Sequence, residues 1–448
     1  MDSYFYETPE EAKIFKILLE VVRIKCPDTI LRICGGIVRD RLIGNSSNDI
    51  DIAVSNMSGL DFANLVVQYL EWHDMDFKTP TVIKANPDQS KHLETAMLEI
   101  NGLSIDFVNL RKETYADSRI PTIEFGTIEE DAKRRDLTVN ALYYNLHTKK
   151  VEDYVGGLKD LDYSIAKTPI DPVQTFIDDP LRIYRCVRFA TKYNLTVEEN
   201  IIWAAREFKV VESLKNKVSA DRVFKEIGGY LLGNNSWKDG CFSRDPSKCA
   251  NALELFEKMD LLHILFEDCS INFHKAYYYL VNMGAEGSSE DQLSSNLAII
   301  LRDNPESVIK KALLNIKCPT DIIFRVNRLI VSTKFLRLFH NNEDKQIRKF
   351  LRMAGNDYNL AANILEIDFS GSMDFEKEVV GIWAKLHSFA EEHGHTIKSP
   401  INGNDLIEDG FPIGKIIGQA LSAIDDLLLE NPKLTKTEAL EFCQQFKS

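Results

Sequence analysis

The stretch Leu31-Arg-Ile-Cys-Gly-Gly-Ile-Val-Arg-Asp-Arg41, followed by Asp49-Ile-Asp-Ile-Ala-Val54, decides the fold of the N-terminal part of this chain. The first stretch predicts a short strand, Leu31–Cys34, that ends in two glycines and opens a helix. The second alternates acidic and apolar residues, which is the period of a strand with one buried face. We therefore expect a strand–turn–helix unit with a further strand beside it.

The pattern changes once along the chain. Up to about residue 165, β-like runs alternate with turns, and Asn101-Gly102 between Thr95–Ile100 and Leu103–Asn109 predicts a hairpin because both residues tolerate positive φ. After Asp178 the period is almost entirely helical, beginning with Leu181–Tyr193. We predict an α+β fold, with an N-terminal head of mixed β-sheet and helices followed by an all-α remainder.

Composition excludes several classes of protein. The chain has 448 residues, of which 44% are hydrophobic and 27% charged, as in folded proteins of several domains. No stretch approaches the roughly 20 apolar residues of a membrane span, so we expect no membrane partner. The N-terminus carries acids before its first base, unlike a leader peptide, and we expect a cytoplasmic location, with nuclear or mitochondrial alternatives. The eight cysteines form no C-x-x-C pair, so neither a zinc module nor a disulfide framework is indicated.

The formal net charge of −14 is unfavourable for a protein that binds nucleic acid, because phosphate contacts need Lys and Arg. Residues 182–226 differ from this average, since they hold ten Lys or Arg and six acids. A basic strip on an acidic body is compatible with RNA.

Two aspartates in the second stretch are candidates for chemistry. Residues i and i+2 of a strand point to one face, so Asp49 and Asp51 converge while Ile50 and Ile52 enter the core. Carboxylates on one strand suit Mg²⁺, which takes few protein carboxylates together with substrate phosphates. The alternative is a solvated strand face, since Asp-x-Asp is common by itself.

A third carboxylate, Asp106, lies in the second hairpin strand and projects opposite to its apolar neighbours. Beside Asp49 and Asp51 it would complete a site for two metal ions about 4 Å apart, which activate a hydroxyl and stabilise a leaving pyrophosphate. The alternative is a hydrogen-bonded structural aspartate.

The glycine pair predicts a phosphate site. Gly35 and Gly36 expose backbone N–H groups at the positive end of a helix, and Arg39 and Arg41 add positive charge. The alternative is a corner in which the glycines serve only packing.

At this point the residues resemble a known family, the class II tRNA nucleotidyltransferases of the polymerase-β-like superfamily, in its eukaryotic members. Five motifs in order carry the resemblance: Gly35-Gly36-x-Val38-Arg39-Asp40 with Asp49-x-Asp51, Arg134–Ala141, Asp153–Leu161, Asp178–Arg182 with Arg185 and Arg188, and Ser219–Val223. Two departures are Asp178 and Asp221, each standing where the family usually has Glu.

The resemblance implies a CCA-adding enzyme that uses CTP, ATP and Mg²⁺ and binds the tRNA acceptor end. It further implies a catalytic head (1–168), a neck that recognises the base (169–235), a body (236–345) and a tail that binds tRNA (346–448). For oligomeric state we favour a monomer.

Asp179 and Arg182 would then choose the nucleotide. Cytosine and adenine both present an amino donor beside a ring-nitrogen acceptor, so a carboxylate and an arginine on one helix face would take both and oppose uracil and guanine. Arg185 and Arg188 follow in the same motif and are predicted to bind nucleotide. The alternative is that Asp179 only caps the helix, with Pro180 in its first turn.

Arg135, Asp136 and Asn140 have a similar ambiguity. The resemblance has Arg135 on a phosphate and Asp136 on the ribose 2′-hydroxyl, with Asn140 sharing that role. The alternative is a surface ion pair. The polar segment Lys84–Glu94 matches the family's flexible loop, which favours full CCA addition over a restricted CC or A activity. The motifs barely separate a CCA-adding enzyme from a poly(A) polymerase of the same superfamily, which stays an alternative. Intact Asp49 and Asp51 argue against a non-catalytic RNA-binding protein.

Overall fold

The computed structural model describes residues 5–47, 49–83, 95–114, 122–231, 246–283, 288–337, 344–369, 384–386, 388, 399–431 and 433–447. The predicted flexible loop, Lys84–Glu94, lies outside these described residues. The chain forms two compact units. The first contains the described residues up to Tyr230 together with Glu254–Leu265, and the second contains the rest.

A seven-stranded mixed sheet is the base of the first unit. Its order is β3-β4-β5-β2-β1-β8-β9, in which β2 and β5 pair parallel and the other neighbours pair antiparallel. Two further pairs are β6-β7, antiparallel, and β10-β11, parallel. The strands are β1 (Leu31–Cys34), β2 (Ile50–Val54), β3 (Thr81–Ile83), β4 (Thr95–Ile100), β5 (Leu103–Asn109), β6 (Arg111–Thr114), β7 (Thr122–Phe125), β8 (Leu142–Asn145), β9 (Lys150–Asp153), β10 (Ile165–Ala166) and β11 (Thr196–Val197).

The predicted hairpin is confirmed. β4 and β5 are joined by Asn101 and Gly102, whose φ angles are 50° and 82°. Both values lie in the left-handed region that such two-residue turns require. The turn fixes the register of β5, which places Ile105 and Phe107 in the core and turns Asp106 to the other face.

Helices cover the sheet and continue the chain beyond it. The core under β1, β2 and β5 is built by apolar side chains of the first and third helices, such as Phe15, Leu18 and Phe62, all fully buried. The helices of the first unit are α1 (Pro9–Lys25), α2 (Gly36–Leu42), α3 (Gly59–Trp72), α4 (Ile128–Lys133), α5 (Gly157–Asp162), α6 (Pro172–Asp178), α7 (Leu181–Tyr193), α8 (Glu199–Ala205), α9 (Phe208–Lys217) and α10 (Ala220–Leu231), with a 3₁₀ turn at Thr138–Asn140.

The secondary structure of the second unit, within its described residues, consists of helices. Its helices are α11 (Pro246–Lys258), whose last turns belong to the first unit, α13 (Phe273–Asn282), α14 (Ser289–Leu301), α15 (Glu306–Asn315), α16 (Thr320–Arg337), α17 (Asp344–Ala354) and α18 (Tyr358–Phe369), then Gly403–Glu408, Lys415–Glu430 and Lys436–Cys443. α12 (Leu262–Leu265) lies in the first unit. Within the described part of the chain, no helix has the length and apolarity needed to cross a bilayer.

The α+β prediction is therefore confirmed, and the sequence anticipates α7 to the residue. The division into head, neck, body and tail at 168, 235 and 345 stays a prediction.

Candidate active site

Two of the three predicted carboxylates are cross-strand neighbours. β2 and β5 run parallel with Asp51 opposite Asp106, and both side chains are half-buried on the face of the sheet away from the core. The parallel pairing results from the fold and cannot be read from either strand alone. It brings together two residues that lie 55 positions apart in the sequence.

The proximity of these carboxylates changes their ionisation. Burial and the charge of Asp106 raise the pKa of Asp51 to about 6, with a further contribution from Asp49. A divalent cation relieves this repulsion, so the donor set fits one. Among the described residues, however, no three His, Cys, Asp or Glu side chains are grouped to hold an ion.

Asp49 lies just outside the strand that carries Asp51. The strand begins at Ile50, and Asp49 precedes it as an exposed residue. It is close enough to raise the pKa of Asp51, but it does not line the cavity that Asp51 and Asp106 share. Its role as a metal ligand stays a prediction.

The glycine pair lies directly beside these carboxylates. Gly35 has a φ of 85°, and a Cβ added there would lie 3.6 Å from Asp51 Oδ2 and 3.7 Å from Arg135 Nη1. The turn therefore needs glycine for its backbone angle, and it brings main chain close to both a carboxylate and a guanidinium.

The two arginines of the following helix, α2, have different surroundings. Arg39 is buried, lines the cavity, and donates to Asn140, Tyr193 and Asp40. Arg41 instead pairs with Glu11 of α1, so its charge serves the packing of the head.

Arg135 is held by a buried acid that the sequence reading missed. Asp131 accepts hydrogen bonds from Arg135 Nη2 at 3.0 Å, from Arg134 Nη2 at 2.5 Å and from the Tyr143 hydroxyl at 2.5 Å. Burial opposes its ionisation, but the two arginines outweigh burial and hold the pKa of Asp131 well below its usual range. The i, i+4 spacing of Asp131 on α4 and Arg135, two residues after the end of that helix, was the available signal.

Asp136 connects the head to the helix α7. Its Oδ1 accepts from Asn140 Nδ2 at 2.9 Å and its Oδ2 accepts from Arg185 Nε at 2.7 Å. Burial alone would raise the pKa of Asp136, but Arg185 and these hydrogen bonds lower it well below its usual range. Asp136, Asn140 and Arg185 thus form one bonded group, which is more than the surface ion pair considered as the alternative.

The base-reading candidates lie at the start of α7. Asp179 uses Oδ1 to accept from the backbone of Leu181 at 3.2 Å and Oδ2 to accept from Arg222 at 3.1 Å. Arg182 donates to the Thr175 carbonyl at 3.3 Å and lies 3.6 Å from Glu113 of β6. Asp179 therefore meets the backbone as a cap does, and it also faces the cavity.

One cavity of about 660 Å³ joins these groups. Eleven of the thirteen predicted site residues line it: Gly35, Gly36, Arg39, Asp51, Asp106, Arg135, Asp136, Asn140, Asp179, Arg182 and Arg185. Asp49 and Arg188 do not; Arg188 donates to Glu226 at 2.6 Å and packs on the ring of Phe189.

The wall of the cavity also contains residues that no motif singled out. Glu113 pairs with Arg111 at 3.0 Å and Arg134 at 3.2 Å, and so gathers basic side chains beside Arg182. Cys34, the register partner of Asp51, is a buried thiol whose pKa burial raises to about 11. Apart from the Arg111–Glu113 pair, their contacts join distant parts of the chain, which is why the sequence did not reveal them.

Comparisons with known proteins relate the part of the chain that contains this site to nucleotidyltransferases. Residues 31–166 match the family described as the poly A polymerase head domain. The tRNA nucleotidyltransferase cca2 of Schizosaccharomyces pombe is 40% identical over 261 residues, which are 55% of this chain and 54% of that protein. The mitochondrial CCA tRNA nucleotidyltransferase of Saccharomyces cerevisiae is 45% identical over 209 residues, which are 45% of this chain and 38% of that protein.

A solved structure extends the likeness to the whole fold. The CCA-adding enzyme of Bacillus stearothermophilus in complex with CTP superimposes on 98% of this chain and 98% of its own, with a TM-score of 0.67 and 19% identity. The match to the two yeast relatives spans about half the length of the first and less of the second. The resemblance to tRNA nucleotidyltransferases inferred from the motifs is confirmed.

Proposed function

We propose that this chain is a CCA-adding tRNA nucleotidyltransferase, which adds C, C and A from CTP and ATP to the 3′ end of tRNA without a nucleic-acid template. The observation that carries the proposal is the single cavity between the carboxylates Asp51 and Asp106 and the pair Asp179 and Arg182. A nucleoside triphosphate has its triphosphate at one end and its base at the other, with the reacting α-phosphate next to the ribose, and this cavity offers matching groups for both parts.

The carboxylate end would carry the chemistry. Asp51 and Asp106, with Asp49 close by, would hold Mg²⁺, and we expect two ions in the active complex. Such ions supply charge stabilisation and an activated hydroxyl in phosphoryl transfer. The main chain of Gly35 and Gly36 would receive the triphosphate, and Arg135, oriented by Asp131, would neutralise it.

The other end would read the sugar and the base. Asp136 would accept from the ribose 2′-hydroxyl in exchange for one of its present donors. The Asp179 carboxylate would accept the amino group of C or A, while Arg182 donates to the ring nitrogen. Uracil and guanine would leave buried polar groups without hydrogen-bond partners, which would cost about 1–3 kcal/mol of binding free energy for each mismatch.

The test is an extension assay on three substrates. The purified protein receives a tRNA that lacks CCA, a tRNA that ends in CC, and an unrelated RNA of similar length, each with labelled CTP and ATP. We expect three residues on the first substrate, one A on the second, nothing on the third, and no growth beyond the completed CCA.

Other products would identify a different enzyme. The matching family is described by a poly A polymerase head, so long A tails on any RNA with ATP alone would establish that activity instead. A product that stops at CC, or one that requires CC already in place, would restrict the activity. Binding of tRNA with no incorporation would indicate a non-catalytic RNA-binding protein.

The remaining assignments depend on the same activity. tRNA would bind through its acceptor end, with Arg188 and the other basic residues of 182–226 near the nucleotide. We expect a monomer in the cytoplasm, with a nuclear or mitochondrial pool as the alternative.

A further inference from the structure

The last residue of α7, Tyr193, contacts Arg39 of the glycine-rich motif. The Arg39 guanidinium lies over the Tyr193 ring, 4.0 Å from its centroid, and also donates to the Tyr193 hydroxyl. One turn earlier on the same helix, Phe189 stacks with Tyr193 and lies 5.1 Å from the guanidinium. Arg39 and Tyr193 are 154 positions apart, so the sequence alone does not predict their contact.

The remaining sides of the guanidinium are occupied as well. Asp40 Oδ1 accepts from Nε at 3.0 Å and from Nη2 at 2.8 Å, and Asn140 accepts from Nη1. The side chain is 3% exposed. A buried guanidinium that is paired in its plane and stacked on one face has a single orientation available to it.

That orientation faces the turn predicted to receive phosphates. A Cβ added at Gly36 would lie 3.2 Å from Arg39 Nη2, so the guanidinium lies against the diglycine turn. Arg39 and Gly36 both line the cavity, on the same side as Gly35 and Arg135. Whatever fixes Arg39 therefore fixes a positive charge at the phosphate end.

We propose that Tyr193 is a positioning residue that holds Arg39 in place for the triphosphate, and so ties the helix that carries the base-reading residues to the phosphate site. This inference rests on the proposed function and deepens it. CTP and ATP share the triphosphate and differ in the base. Loss of Tyr193 therefore weakens the binding of CTP and of ATP equally and leaves the selection between bases unchanged.

Three variants test the inference. Tyr193→Leu removes the ring and the hydroxyl, Tyr193→Phe keeps the stacking ring and removes the hydroxyl, and Tyr163→Leu is the control, because Tyr163 is 69% exposed. The measurements are KM and kcat for CTP and for ATP, inhibition by inorganic tripolyphosphate, the preference for CTP over UTP, and the melting temperature.

For Tyr193→Leu we expect KM to rise about tenfold for both nucleotides, with kcat changed less than threefold. Inhibition by tripolyphosphate weakens in parallel, and the preference for CTP over UTP stays within twofold of the parent. Tyr193→Phe gives a rise of about two- to fivefold, and Tyr163→Leu gives none.

Three results overturn the inference: KM values within twofold of the parent, unchanged tripolyphosphate inhibition, or an effect on one nucleotide only. If Tyr193→Leu does not fold, Tyr193→Phe decides by the same limits. Failure of the proposed function looks different, because the parent then extends no RNA. In that case calorimetric binding of tripolyphosphate to the parent and to Tyr193→Phe decides the positioning role.

Discussion

The two ends of the cavity differ in how their charged side chains are arranged. At the sheet end, Asp51 and Asp106 place like charges on adjacent strands, and the pKa of Asp51 rises to about 6. At the end beside α7, opposite charges are already matched, with Asp136 on Arg185 at 2.7 Å and Asp179 on Arg222 at 3.1 Å. Under the proposed function, an added cation would balance the charges of the sheet end, whereas a ligand would exchange with the existing ion pairs at the α7 end.

The largest effect should come from removing one of the like charges. Asp51→Asn keeps the size of the side chain and removes its charge, and we expect incorporation of CTP and ATP to fall by about 10³-fold or more. The measurement is single-turnover extension of tRNA lacking CCA, together with tRNA binding, which should stay within about twofold.

The control is Asp162→Asn, at an exposed position at the end of α5. Parental activity in Asp51→Asn would show that the charge of Asp51 is not needed for incorporation. The two ends of the cavity would then no longer differ in function.

A smaller effect should come from a substitution at the end of the cavity beside α7, where opposite charges are paired. Arg182→Ala removes the donor to the ring nitrogen, so we expect the preference for CTP and ATP over UTP and GTP to shrink by about 10- to 100-fold. Competition between labelled nucleotides measures this preference, and Lys13→Ala on the exposed side of α1 is the control. A uniform loss of rate with unchanged preference would contradict base reading by Arg182.

The smallest effect concerns stability. The folded pKa of Asp51, about 6, exceeds its ordinary value of 3.8, so the folded protein binds this proton more tightly than the unfolded chain does. Stability from this group is therefore present at low pH and is lost as pH rises from about 4 to about 6. In metal-free buffer, the melting temperature of the parent relative to Asp51→Asn should fall by roughly a few degrees between pH 4.5 and 7.5.

Asp162→Asn again serves as the reference for that difference. A constant difference between the parent and Asp51→Asn across this range would mean that burial and the charge of Asp106 do not raise the pKa of Asp51, and the contrast between the ends would lose its electrostatic basis.

Local chemistry made the main elements of the head predictable. The Asn101-Gly102 turn and the alternation around Asp106 predicted β4, β5 and the outward face of the aspartate, because both depend only on neighbours in sequence. The period of α7 likewise marked its full length.

Most of what escaped prediction depends on contacts between distant segments. The parallel pairing of β2 with β5 and the direction of Arg41 toward Glu11 follow from the tertiary fold. The bond from Arg135 to Asp131, four residues earlier, is a local contact that the sequence reading missed. The role of Asp49, which directly precedes β2, stays a prediction.

The buried thiol behind the carboxylates has a practical consequence. Only a thiolate attacks an alkylating reagent, and a pKa of about 11 at 3% exposure leaves Cys34 almost without one at neutral pH. Cys34 lies in the cavity wall, so its modification requires a local separation of the groups that cover the thiol there. In a chain whose more accessible cysteines are first replaced by serine, the alkylation rate of Cys34 would report how often that separation occurs. It would therefore measure the local opening of the cavity.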